Sequence, residues 1–176
     1  MNGVVWALAF PVLAFLPVAW THAATRPTVA VFDFELVDTS LEGAVNGSPR
    51  ADEKARLAEV SERLRRWLEQ SGKANVADIS PVSARAHAAH LRECGGCDAD
   101  LARQVGAQLS ITGTVQKVSN LILNMNIYVR DVTTGRTIAA MSADMRGNTE
   151  ESWMRTLDWL IRNRLSPAPA LDGARR

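Results

Sequence analysis

The sequence predicts a mixed α/β (α+β) domain in the order β-α-β-α-α-β-β-β-α, with helices mainly on one face of the sheet and an antiparallel meander in the C-terminal half. Three observations carry that expectation. Thr28 to Leu36 reads as a central strand, because Val29, Ala30, Val31, Phe32 and Phe34 make both of its faces apolar. Leu57, Val60, Leu64, Trp67 and Leu68 recur at helical spacing and predict an amphipathic helix over about 51–70. Residues 108–146 alternate apolar and polar side chains in three stretches, with a hairpin turn at Asp131–Arg136 where Gly135 is free to take positive φ.

The remaining elements follow from local signals. A polar loop with glycines fills 37–49, and Ser48-Pro49 looks like a helix start. Ser71-Gly72 stops the long helix, and Asn75–Ile79 reads as a short strand. Ser80-Pro81 opens a second helix to about Arg92, and Asp98 is placed to cap a third that ends at Gly106. In the meander, Leu109, Ile111 and Val115 face one way and Thr112, Thr114 and Gln116 the other; Leu123, Met125 and Ile127 oppose Asn124, Asn126 and Tyr128. Asn148 with Glu151 predicts a capping box for a last helix striped by Trp153, Leu157, Leu160, Ile161 and Leu165. The tail, 166–176, has two prolines and no periodicity, which predicts disorder.

Composition excludes several classes. The net charge is +1, from 20 basic and 19 acidic residues, so no whole-chain field favours nucleic acid. At 47% hydrophobic residues the chain can build a core. Residues 1–20 are apolar and uncharged, and small residues follow, so a signal peptide over 1–23 is expected, cleaved after Ala23 or Ala24. That predicts a periplasmic protein with no stable membrane span after cleavage and one domain over 27–165; an uncleaved N-terminal anchor is the alternative.

The two cysteines, Cys94 and Cys97, hold the sharpest chemical question. In an exported chain they are expected to form a disulfide that closes the turn between two helices. A redox dithiol is one alternative. A metal site made of His87, His90, Cys94 and Cys97 is another, since two imidazoles and two thiolates suit zinc. Asp98 stands where a c-type haem needs histidine. The acidic set Asp33, Glu35, Asp38 and Glu42 reads as a solvated loop, with a ligand site at the end of the first strand as the alternative. No phosphate loop, dinucleotide fingerprint, nucleophile elbow or zinc-protease motif is present, and no cofactor or catalytic residue is expected. Asparagine is a poor strand former, so the polar row Gln116, Asn124, Asn126, Tyr128, Arg130 and Arg146 reads first as a solvated sheet face and, as the alternative, as a candidate partner or ligand face. Trp159 lies off its helix stripe and is added as a candidate anchor.

Several stretches carry a resemblance: FDFELVDTSLEG from Phe32, CGGC from Cys94, GTVQKVSNLIL from Gly113 and RGNTEESW from Arg146. Together they resemble an uncharacterised family of exported bacterial proteins of unknown function. More distantly, the pattern is similar to the amino-terminal α/β domain of TolB-like and CsgG-like envelope proteins. This chain shows neither the β-propeller of the former nor the lipid-anchoring cysteine and pore-forming segments of the latter. The resemblance implies the fold, a periplasmic address and an interaction role. The expected function is therefore a non-catalytic module that binds a protein or cell-envelope component. The alternative is a thiol-redox or metal-handling protein that uses Cys94 and Cys97.

Overall fold

The computed structural model describes residues 26–46 and 49–171. The expected signal peptide lies outside them. Among the described residues no helix is long and apolar enough to cross a membrane.

Strands β1 (Thr28–Val31), β2 (Glu35–Asp38), β3 (Asn75–Val76), β4 (Leu109–Lys117), β5 (Ile122–Asp131) and β6 (Thr137–Arg146) form one mixed sheet. Its order is β3-β1-β4-β5-β6, with β2 also pairing β4. β1, β2 and β3 pair in parallel; β4, β5 and β6 form the antiparallel meander that alternation predicts. The helices are α1 (Leu41–Asn46), α2 (Ala51–Ser71), α3 (Ser83–Ala89), α4 (Cys97–Gln104) and α5 (Glu150–Leu160). The mixed α/β class is as expected.

One face of the sheet carries the main core. Val60, Leu64 and Leu68 of α2 and Trp153, Leu157 and Leu160 of α5 pack on Ile111, Val115, Leu123, Met125 and Ile127. Burying each such side chain contributes about 1.5–3 kcal/mol. Among the described residues the other face is covered only at the β1 end. There Ala30 and Phe32 meet Val82 and Ala86 from the α3 region and Leu101 and Ala102 of α4. The helices thus lie mainly on one face, as expected, and the short α3 and α4 add a cover at that end because β1 is apolar on both sides and each side needs one. Over β5 and β6 no described helix covers this second face.

Local differences have local causes. The expected single strand Thr28–Leu36 is split: Val31 pairs with Ile111 but Glu35 pairs with Thr114, so one extra residue bulges at Phe32–Phe34. Phe34 turns its ring onto Gly113, where a Cβ would lie 2.3 Å from the ring carbons. The expected loop 37–49 contains the end of β2 and helix α1. Arg50 precedes the first turn of α2, and its N–H donates to Glu53 Oε2 at 3.0 Å, so the cap expected at Ser48-Pro49 is displaced. The second helix is shorter than expected and ends at His90, which takes φ 47°. Thr149, not Asn148, caps α5 by accepting from the Ser152 N–H at 3.3 Å. The tail is not structureless from Ser166. A wide turn over Ile161–Leu165 closes with Ser166 N–H on the Ile161 carbonyl, and Leu171 is buried in the main core.

Candidate functional site

The candidate face is built by three strands in register. Odd residues of β4 to β6 enter the main core, so even residues must face away. Three rows result: Gln116–Asn124–Asp144, Thr114–Asn126–Ser142 and Thr112–Tyr128–Ala140. Neighbouring side chains are bonded to each other. Asn124 Nδ2 donates to Asp144 Oδ1 at 2.9 Å, Ser142 Oγ donates to Asn124 Oδ1 at 3.0 Å, and Asn126 Nδ2 reaches Thr114 Oγ1 at 3.4 Å. The asparagines thus have cross-strand partners, which explains why two poor strand formers sit in one strand. Tyr128 stands in the middle with 38% of its surface exposed.

The face ends in a groove of about 240 Å³ lined by Asp33, Glu35, Leu91, Arg92, Thr112, Thr114, Tyr128 and Arg130, among others. Its far wall is the segment after α3. Glu35 Oε1 accepts from the Leu91 N–H at 2.7 Å and so ties that segment to β2. Asp33 accepts from Arg65 at 2.5 Å and pairs with His87 Nε2 at 2.8 Å. Desolvation tends to raise the Asp33 pKa, but its bonds with Arg65 and His87 outweigh this and hold it below the ordinary value. The floor at Arg130 is fixed from below. Arg130 Nε donates to Asp98 Oδ2 at 3.0 Å and Ser110 Oγ to the same oxygen at 2.5 Å. Asp98 therefore does not cap α4: it lies in the first turn, 2% exposed, and braces the sheet. Asp98 Oδ1 is buried with no hydrogen-bond partner among the described residues.

The structure thus brings Gln116, Asn124, Asn126, Tyr128, Arg130 and Arg146 onto one side. Trp159 is not with them. It lies on α5, across the sheet, 41% exposed, with the Arg164 guanidinium 5.8 Å from its ring centre. Cys94 and Cys97 are joined in a disulfide, with Gly95 and Gly96 at positive φ between them. Three of the four residues of the alternative metal set are otherwise engaged here: Cys94 and Cys97 are bonded to each other, and His87 pairs with Asp33. Among the described residues no group of three or more His, Cys, Asp or Glu is arranged to hold a metal ion.

A second polar assembly, at the end of β4, escapes sequence reading. Lys117 is 1% exposed, and its Nζ donates to Glu53 at 2.8 Å, Glu42 at 2.9 Å and Asp38 at 3.1 Å. Glu53 also accepts from Asn148 Nδ2 at 2.8 Å, and Asn148 Oδ1 accepts from Trp153 Nε1 at 3.0 Å. Burial opposes the charge on Lys117, but its bonds to Glu53, Glu42 and Asp38 raise its pKa above the ordinary value. Bonds from Lys117, Arg50 and Asn120 lower Glu42 to about 2. The acidic set is therefore not a solvated loop: Asp33 and Glu35 hold the groove wall, and Asp38 and Glu42 hold Lys117. Three of the stretches singled out in the sequence meet here, through Asp38 and Glu42, Lys117 and Asn120, and Asn148 and Trp153.

The family model DUF3280, described as "Protein of unknown function (DUF2380)", matches residues 27–165. No curated protein matches the chain. Three solved structures show the same fold at low identity. The LpoB C-terminal domain from Salmonella enterica is 19% identical with a TM-score of 0.50, over 72% of this chain and 87% of that chain. Lipoprotein GNA1162 from Neisseria meningitidis is 14% identical with a TM-score of 0.51, over 81% and 98%. The hypothetical protein CT253 from Chlamydia trachomatis is 14% identical with a TM-score of 0.52, also over 81% and 98%.

Proposed function

The chain belongs to the DUF3280 family of proteins of unknown function, and from that premise we propose that it is a non-catalytic binding module of the cell envelope that takes its partner on the open sheet face. One observation carries the reading: three long strands present a hydrogen-bonded polar face that no described helix covers, bordered by a groove beside Tyr128. Its side chains are held by one another, so little ordering is lost when a partner docks. Tyr128 offers a rigid aromatic surface with a polar tip, the residue type that concentrates binding energy. The envelope address rests on the apolar start of the chain and on the fold shared with a lipoprotein. The polar groups of the groove are already engaged as braces, which fits binding better than proton transfer.

A photoreactive residue in place of Tyr128 tests this in intact cells. The proposal expects a discrete cross-linked product at position 128 and none at Trp159, across the sheet. Products of equal yield at both positions would remove the sheet face as the docking surface.

A further inference from the structure

The groove beside Tyr128 holds one charge that the described chain leaves uncompensated. Four ionic side chains line it: Asp33, Glu35, Arg92 and Arg130. Three of them have an oppositely charged partner. Asp33 pairs with Arg65, Arg130 with Asp98, and Arg92 with Glu93. Glu35 has none among the described residues: its oxygens accept only the Leu91 N–H at 2.7 Å and the Arg92 N–H at 3.4 Å. An ionised carboxylate offers about four acceptor sites, so about half of them remain open. Glu35 lies opposite Thr114 on β4, and Tyr128 lies opposite Thr112. Carboxylate and ring therefore flank β4, offset by two residues, roughly 7 Å along the strand. The Tyr128 ring is half-buried, and no guanidinium of the described chain stacks on it, as Arg56 does on Trp153 and Arg164 on Trp159. The cavity that both of them line has room for a side chain rather than a single water.

We infer that this groove seats an arginine side chain of the partner protein, with the guanidinium between the Glu35 carboxylate and the Tyr128 ring. The inference rests on the reading of the sheet face as the docking surface and names the chemistry that the surface selects. The planar fork of arginine matches a carboxylate, and its flat face stacks on an aromatic ring. Charge favours the same sign of ligand. With His87 neutral, the ionic residues of the groove and their partners carry one net negative charge, that of Glu35. An anion entering here would meet Glu35 and, below the floor, Asp98, whose Oδ1 is buried with no partner among the described residues. The two arginines of the groove are held by their own acceptors. Arg130 gives Nε to Asp98 and Nη1 to the Gly135 carbonyl at 2.7 Å, and Arg92 gives Nη2 to Glu93.

Tyr128 is the only tyrosine in the sequence, so the full chain grown with 3-fluorotyrosine carries a single fluorine, and it lines the groove. The probe is the tripeptide glycyl-arginyl-glycine capped at both ends, whose guanidinium is its only charge. The expected result is a saturable shift of the fluorine resonance with this peptide, and none with its neutral citrulline isostere or with capped glycyl-glutamyl-glycine. Glu35→Gln should weaken binding of the arginine peptide about tenfold, while the Gln oxygen still accepts from the Leu91 N–H. Raising sodium chloride from about 0.01 M to about 1 M should weaken binding to the wild type, a readout that stands even where the variant is unstable. The inference is overturned by the absence of a saturable shift with the arginine peptide, by an equal shift with the citrulline or glutamate peptide, or by binding that neither Glu35→Gln nor salt weakens. Spermidine that saturates the resonance at a lower concentration than the arginine peptide overturns it too, since the groove would then take a free polyamine. Cross-linking at position 128 keeps the two readings apart. A discrete product there without arginine binding refutes only the arginine; arginine binding with products of equal yield at 128 and 159 refutes only the docking surface.

Discussion

Replacing Lys117 with Met removes the buried cation from a site that keeps its carboxylates and only the part-exposed Arg50 guanidinium beside Glu42 and Glu53. Glu53 is 1% exposed, like Lys117 itself, and Asp38 and Glu42 approach the same Nζ within 3.1 Å. Removing one partner of a buried ion pair costs about 3–5 kcal/mol, because the remaining charge is left without compensation. Glu53 retains Asn148 and the Arg50 N–H, which places the loss near the lower figure, about 3 kcal/mol. At a urea slope of about 1–3 kcal/mol/M, the unfolding midpoint should drop by at least ~1 M. Tryptophan fluorescence is a suitable readout, since Trp153 is fully buried and bonded to Asn148 in the same network. The loss should shrink in Lys117→Met/Glu53→Met, which removes both charges and leaves apolar groups. A single-variant loss below about 1 kcal/mol, the range of a surface pair, would refute the account of the network as a buried bracing device.

Acid should unfold the protein through the same groups. Glu53, Asp38, Asp33 and Glu42 are lowered in the fold, so their contribution is complete above the ordinary carboxylate values of 3.8 to 4.5 and is lost as pH falls through the folded ones, down to about 2 for Glu42. A fluorescence titration should therefore be flat from pH 7 to about 5 and fall below that; a transition centred near pH 6 would contradict this. Lys117 is raised, so its contribution persists past the ordinary value of 10.5 and is lost only as pH rises further. Gly113→Ala should destabilise by about 1–3 kcal/mol or more in a thermal melt, because its Cβ would collide with the Phe34 ring. Reducing the Cys94–Cys97 disulfide should cost about 2 kcal/mol or less in urea unfolding, since its ends are only three positions apart in sequence. A loss above about 4 kcal/mol would mean that it does more than close a turn.

The parts of the fold that periodicity governs were legible in the sequence: α2, α5 and the three meander strands lie where their apolar spacing predicts, and the polar face follows from the same alternation. What was not legible depends on partners far away in the chain. Lys117 reads as a surface lysine at a strand end, although its odd position aligns it with Leu109, Ile111 and Val115 on the core side. That alignment is the one signal that it turns inward. Its partners Asp38, Glu53 and Asn148 come from three other segments, and no local pattern connects them. Asp98 sits where a helix cap belongs, and only the approach of Ser110 and Arg130 converts it into a brace. Gly113 in a strand marks close approach by another group, but not that the group is Phe34. Trp159 falls off its helical stripe as read, yet the sheet separates it from the polar face it was grouped with.

The most direct test of the binding role is the affinity for the partner recovered by cross-linking at position 128, measured for the wild type, Tyr128→Ala and Trp159→Ala. The account predicts at least tenfold weaker binding for Tyr128→Ala, about 1.4 kcal/mol, with Trp159→Ala unchanged. Equal affinity for wild type and Tyr128→Ala, or a loss confined to Trp159→Ala, would contradict it.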